Sequence, residues 1–313
     1  MALPKNLQDQ LRLPVIAAPM FLVSGPNLVT AACRAGIVGA FPTLNARTLD
    51  VLDDWLSEIT TTLEDLKRSG ANQIIAPYAA NLIVHKTNAR AADDLALVEK
   101  YKAPLVITSV GHPGDTAERI HAYGGIIFHD VINLHHAKKA AEAGVDGLIL
   151  VCAGAGGHAG LMNPLTFVAQ IREFFDGIVI VAGAISNGQA VRAVEVMGAD
   201  LAYLGTRFIA CKESMADEDY SGMLVEAESK DIVYTDKVSG IHGNFIRQSL
   251  EQAGLVDGAV LNDDEFAHVD EKKKAWKQIW SAGQGVGEIQ SVESVETLVS
   301  ELESEYKEAK AMH

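Results

Sequence analysis

Residues 143–208 read AGVDGLILVCAGAGGHAGLMNPLTFVAQIREFFDGIVIVAGAISNGQAVRAVEVMGADLAYLGTRF, and this stretch decides the fold. Three short apolar runs, Gly147–Val151, Ile178–Ala182 and Leu201–Leu204, are separated by two amphipathic segments. The runs are apolar nearly throughout, the pattern of parallel strands buried on both faces. Asn163-Pro164 caps and opens a helix over Leu165–Phe175 that stops at Gly177. Asn187-Gly188 starts another over Gln189–Met197 that stops at Gly198.

The same unit repeats upstream. Val15–Ala18, Ile37–Phe41, Ile74–Leu82, Leu105–Ser109 and Ile126–His129 bring the count of strand-like runs to eight. Ser24-Gly-Pro26 precedes a helix over Leu28–Ala35, and Ala-Gly-(Ile or Val) recurs at Ala35–Ile37 and Ala143–Val145. Eight strands in strict alternation fit a closed (β/α)8 TIM barrel or an open doubly wound sheet. The barrel is preferred because the eighth run is followed by a helix-rich tail and no further strands. Residues 1–211 form it, completed by 291–313, where Val292–Ala311 reads as an acidic amphipathic helix. Residues 212–290 are charged and loosely patterned, and read as an appended helical subdomain covering the barrel mouth.

Composition narrows the class of function. Of 313 residues, 48% are apolar and 21% charged, which permits a large core and excludes a disordered or collagen-like chain. Lys and Arg number 26 against 41 Asp and Glu, a formal charge of -15. So acidic a surface repels nucleic acid and anionic membrane, leaving a small molecule as the expected partner. Cys33, Cys152 and Cys211 lie far apart, so neither a zinc site nor a disulfide framework is expected. With no signal-like start and no long apolar run, a cytoplasmic protein is expected.

In a barrel, chemistry sits at the C-terminal strand ends. Those ends are Ala18-Pro19-Met20, Pro42–Asn45, Ala80-Asn81, Ser109–Gly111, His129-Asp130, Cys152–His158, Ala182–Ala184 and Gly205-Thr206. The seventh and eighth ends are glycine-bearing and precede helices, where amides favour a phosphate. Ordinary tight turns also use glycine, but the two together point to a phosphate site.

Gly154-Ala-Gly-Gly-His-Ala-Gly160 meets the G-x-G-x-x-(G/A) spacing, yet a dinucleotide fold fails. The motif follows the sixth strand, Asn163-Pro164 delays the helix, and no acid ends the next strand. What remains is a loop holding one imidazole, His158, which can act as base or hydrogen-bond donor. His129-Asp130 with His135-His136 resembles a metal cluster, but the two helical histidines face different ways, so no metal is expected. Cys152 is read as a buried, inert thiol, not a nucleophile. Gly283–Gly287 reads as a helix-breaking loop, and no Ser/His/Asp nucleophile elbow is present.

These residues resemble the nitronate monooxygenases, formerly called 2-nitropropane dioxygenases, which are FMN-dependent barrels. The matching pieces are 14–20 (PVIAAPM), 155–160 (AGGHAG), 181–188 (VAGAISNG), 198–208 (GADLAYLGTRF) and 281–285 (SAGQG). The histidine loop followed by Gly-Thr-Arg-Phe is the most specific pair. The resemblance implies that Ala18, Pro19 and Met20 lie beside the isoalloxazine, with Asn81 at a polar edge. Gly183, Ala184, Gly205 and Thr206 would hold the FMN phosphate, with Gly157 and Ala182 as further cofactor contacts. His158 would be the active-site histidine. Many relatives carry Gly-Gly where this chain has Gly183-Ala184, so Ala184 is expected to have negative φ.

The chemistry so implied is oxidation of an alkyl nitronate by FMN and O2 to a carbonyl compound and nitrite. The partners are then that small molecule and O2, with a homodimer allowed. The same architecture serves NAD(P)H-dependent flavin reductases acting on quinones or enoyl thioesters, which stand as the alternative. A non-catalytic barrel binding a phosphorylated metabolite is the other.

Overall fold

The computed structural model of the chain describes residues 3–70, 74–255 and 279–312. Eight parallel strands close into a barrel: β1 (Val15–Ala17), β2 (Val38–Pro42), β3 (Tyr78–Ile83), β4 (Leu105–Ser109), β5 (Ile126–Val131), β6 (Gly147–Val151), β8 (Ile178–Ala182) and β9 (Leu201–Leu204). Closure is direct, with Val15, Ile16 and Ala17 in register with Ala202, Tyr203 and Leu204. The open-sheet alternative is thereby excluded.

Alternation along each strand explains the unbroken apolar runs. Ile16, Val38, Ile107, Phe128, Ile149 and Ile180 fill the barrel interior. Their neighbours Val15, Val106, Ile127, Leu148, Leu150 and Val179 pack outward under the helices. Both sets are buried, so neither face shows a polar alternation. The interior cluster also takes in Leu3 and Leu7, so α1 (Lys5–Gln8) closes the N-terminal end of the barrel. The open end is the C-terminal one.

The helices between strands follow their sequence signals. α2 (Pro26–Arg34) carries proline in its first turn. α7 (Pro164–Arg172) and α8 (Gly188–Val196) are capped by the side chains of Asn163 and Asn187. The C-terminal helix (Val295–Ala311) buries Leu298, Val299, Leu302 and Tyr306 against the outer core. A Cβ on Gly188 would strike the backbone of Leu302 and Tyr306, so α8 and the C-terminal helix meet at a glycine contact.

Two features differ from the sequence expectation. Strand β3 starts at Tyr78, not Ile74, because Pro77 lacks an amide and Ala76 instead donates to Cys33 O (2.9 Å). The segment after residue 211 carries helices α10 (Glu218–Glu226) and α11 (Arg247–Gln252), and also two strands, β10 (Ile232–Thr235) and β11 (Gly243–Ile246). These pair antiparallel with each other and with a two-residue strand, β7 (Gly157–His158). The remainder of the expected helical subdomain, 256–278, lies outside the described residues. Among the described residues no helix is long and apolar enough to cross a membrane.

Candidate active site

A cleft of about 680 Å³ opens at the C-terminal end of the barrel. The structure brings to it every residue that the resemblance assigns to the cofactor or to catalysis: Ala18, Pro19, Met20, Asn81, Gly157, His158, Ala182, Gly183, Ala184, Gly205 and Thr206. Its size is that of a small-molecule or cofactor pocket.

One wall is the pair of turns after β8 and β9. Among the described residues the amides of Ala184, Ile185 and Thr206, all lining the cleft, meet no backbone or side-chain acceptor. Unmet amides beside glycines are suited to an anion. The Thr206 hydroxyl accepts from Gly283 N–H (2.9 Å), which leaves its own proton for a ligand. Arg207 turns away: it is buried and donates to Glu288 O (2.6 Å) and to Glu301 (3.1 Å). It locks the turn and does not enter the cleft.

The expectation of negative φ at Ala184 is overturned, since its φ is +53° after +125° at Gly183. Two successive positive φ values swing the chain from β8 back toward α8, and a methyl is small enough to survive there. Leu22 (+63°) and Val110 (+55°) also line the cleft, so three of the four non-glycine residues with positive φ among those described belong to this site. Backbone strain of this kind clusters at active sites and ligand clamps. Ala184→Gly should relieve about 1–2 kcal/mol of left-handed strain against a glycine entropy cost of about 0.5–1 kcal/mol. A thermal melt is expected to show a slightly raised midpoint; a lowered midpoint would contradict the strain.

The adjoining wall, beyond the end of β6, is the histidine loop. His158 pairs with Gly243 and Gly157 with Asn244 through β7 and β11. Asn244 Nδ2 donates to Ala155 O (2.6 Å), and Tyr234 donates its hydroxyl to Ala159 O (3.0 Å). His158 Nε2 lies 2.9 Å from Ser239 Oγ, the donor depending on the imidazole tautomer. The imidazole keeps contact with the open cleft, yet the surrounding protein desolvates it and lowers its pKa below the ordinary range. Near neutral pH it is an uncharged base.

The floor carries polar groups at the ends of β3, β4 and β5. Asn81 Nδ2 donates to Ile107 O (3.1 Å) and to Ser109 Oγ (2.7 Å). Ser109 in turn donates to Asp130 Oδ2 (2.6 Å). Asn81 therefore spends its amide protons inside the protein and keeps its carbonyl oxygen to offer elsewhere. Burial raises Asp130 to about 7, opposed by the Ser109 hydrogen bond. In the sequence Ser109 reads only as a strand end, and Asp130 only as a strand end and a member of the rejected metal cluster. A polar pair closing otherwise apolar runs was the available signal.

The other candidates fall away. His129 faces the helix layer, bonds Thr108 through Nδ1 (2.8 Å), and burial pushes it down to about 4. Among the described residues no group of three or more His, Cys, Asp or Glu is arranged to hold a metal ion. Cys152 does not line the cleft, and burial pushes its thiol up to about 12.

A closed parallel barrel with strained turns, unmet amides and one imidazole around its C-terminal mouth has the layout of a barrel enzyme. The nitronate monooxygenase family model matches residues 5–305, and the chain belongs to that family, a family of oxidoreductases. It is 27% identical over 270 residues to a nitronate monooxygenase of Paraburkholderia phytofirmans, covering 72% of this chain and 71% of that protein. It is 24% identical over 251 residues to a (3aS,4S,5R,7aS)-5-hydroxy-7a-methyl-1-oxo-octahydro-1H-indene-4-carboxyl-CoA dehydrogenase of Rhodococcus jostii, covering 79% and 67%. Nitroalkane oxidase from Streptomyces ansochromogenes shares the fold, with a TM-score of 0.80, 23% identity, and 98% and 99% of the two chains covered.

Proposed function

We propose that this chain oxidises alkyl nitronates, and neutral nitroalkanes after removal of their α-proton, using FMN and O2. The products are a carbonyl compound and nitrite. The observation that carries the reading is the placement of His158: an imidazole of lowered pKa open to a cleft whose adjoining turns present unmet amides. The donor set fits FMN. The amides of Ala184, Ile185 and Thr206 and the Thr206 hydroxyl suit its phosphate, and Met20, Val151 and Ile185 give apolar walls for its ring system.

FMN supplies the redox chemistry when bound. The chain's own residues bind and orient the substrate, and His158 takes the α-proton from a neutral nitroalkane. A nitronate arrives without that proton and needs His158 only for orientation.

The alternative, an NAD(P)H-dependent flavin reductase acting on quinones or enoyl thioesters, draws on two observations. One curated relative is named as a CoA-thioester dehydrogenase. Phe21, Val110 and Met215 also expose apolar surface at the cleft, 43%, 46% and 44% respectively, which would accommodate an apolar acyl group. Anaerobic mixing separates the two. The purified protein should be yellow, and a nitronate should bleach it while NADH and NADPH do not. Rapid bleaching by NADH with no response to nitronate would establish the reductase reading, and a colourless protein unable to take up FMN would end both.

A further inference from the structure

Asp130 occupies the cleft floor at the end of β5 and is satisfied on one side only. Its Oδ2 accepts from Ser109 at 2.6 Å, whereas Oδ1 is buried and meets no hydrogen-bond partner among the described residues. A carboxylate retained for structure alone would have both oxygens bonded, since a bare buried anion is costly. The direction of the polar chain matters here. Asn81 donates to Ser109 and Ser109 donates to Asp130, so every proton in it runs toward Oδ2. The only place left for a proton on Asp130 itself is Oδ1.

The surroundings favour that neutral form from every side. β4 contributes the Ser109 hydroxyl and β3 the Asn81 amide. β6 contributes Val151 and β9 contributes Tyr203, whose own phenol burial holds well in the neutral state. His129, adjacent on β5, turns to the helix layer and bonds Thr108. Among the described residues lining the cleft, His158 is the only basic side chain, and it stands on β7 with its pKa lowered. Among the described residues lining the cleft, no permanent cation balances an ionised Asp130.

We propose that Asp130 is a ligand-contacting acid: as a neutral carboxylic acid it donates a hydrogen bond from Oδ1 to the bound flavin, and ionisation withdraws that donor. The proposal rests on the flavin reading above. It follows from where the two polar regions lie. The unmet amides are at the ends of β8 and β9, and the Asn81–Ser109–Asp130 chain is across the mouth at the ends of β3, β4 and β5. A ligand anchored by its phosphate at the first region presents its far end to the second. The far end of a flavin is rich in ring nitrogens and carbonyl oxygens, which accept hydrogen bonds.

The sign of the pH dependence is fixed by the raised pKa. The donor is present below about 7 and is lost as the pH rises through that value. FMN affinity of the full-length protein should therefore weaken by about tenfold between pH 6 and pH 8.5, the loss of one good hydrogen bond. Asp130→Asn keeps an N–H donor that does not ionise, and should hold FMN with a flat profile. Asp130→Ala has no donor and should be weak throughout. Each profile is read relative to that of Asp130→Asn, so that the ionisation of the FMN phosphate near pH 6 cancels.

A second measurement needs no variant to fold. In protein labelled with 13C at the aspartate carboxyls, one resonance should titrate near neutrality and shift when FMN is added. If all three proteins bind FMN with the same pH profile, or every aspartate titrates in the ordinary carboxylate range, the assignment of Asp130 is overturned while the flavin reading stands. If no form of the protein binds FMN at any pH, the flavin reading itself fails and the assignment falls with it.

Discussion

His158→Asn is expected to retain FMN and to lose turnover of neutral nitroalkanes by about 10²–10⁴-fold, the range of a removed general base. The asparagine amide still offers polar contacts near Ser239 but takes no proton at physiological pH. Turnover of a nitronate, which needs no deprotonation, should fall far less, and this difference between two substrates separates a base from a residue that only orients. Desolvation lowers the His158 pKa, so the base form persists as the pH falls below the ordinary imidazole value of about 6.5. Wild-type activity on nitroalkanes should accordingly hold through that value and decline only at lower pH. Oxygen uptake at a series of pH values measures both effects, and unchanged nitroalkane turnover in the variant at pH 7 would remove His158 from proton transfer.

Gly156→Val should damage the site without touching a titratable group. A Cβ at Gly156 would lie 2.8 Å from Gly283 N and 2.9 Å from the carbonyl carbon of Ala282, both backbone atoms with no side-chain freedom to yield. The loop has little room to retreat. Gln284 N–H donates to Gly154 O (2.9 Å), Asn244 holds Ala155 O, and the β7–β11 pairing begins one residue later. Overpacking of this kind costs about 1–3 kcal/mol. A displacement of about 1 Å at His158 would cost about 10²-fold in rate. Gly222→Ala is the control: nothing lies within 4 Å of its Cβ position, it sits inside α10, and helix propensity should stabilise it. Melting curves and turnover of both variants test the contrast, and full activity in Gly156→Val would show that the loop yields.

The barrel was legible because its strands are buried on both faces. Ile178–Ala182 and Leu201–Leu204 announce themselves without reference to anything distant, and the Asn163 and Asn187 caps fix where the following helices start. The strands of the excursion were not legible, for the opposite reason. Gly157-His158 is a strand only because Gly243 and Asn244 pair with it, and nothing in two residues of a glycine loop foretells that partner. Ala184 was misjudged because the path from β8 to α8, not the residue's own preference, sets its φ. Asp130 is weighed in the sequence only as part of a rejected metal cluster, because its burial is a tertiary fact: an acid after a strand reads as solvated until the far side of the barrel closes over it. The residues gathered in the cleft were identifiable from their strand-end positions and family resemblance; the hydrogen-bond directions that give them chemistry were not.

The strand pairing that holds His158 makes the site a shared inheritance of two segments. Because β7 borrows its register from β11, the excursion and the glycine loop behave as one hereditary unit. An exchange of 232–246 with a relative should succeed only if the incoming segment brings a glycine opposite His158, where a Cβ at Gly243 would meet Gly157 O at 2.7 Å, and an asparagine to bind Ala155. Variation in substrate preference within such a lineage is then expected to arrive as paired changes on both sides of this short seam.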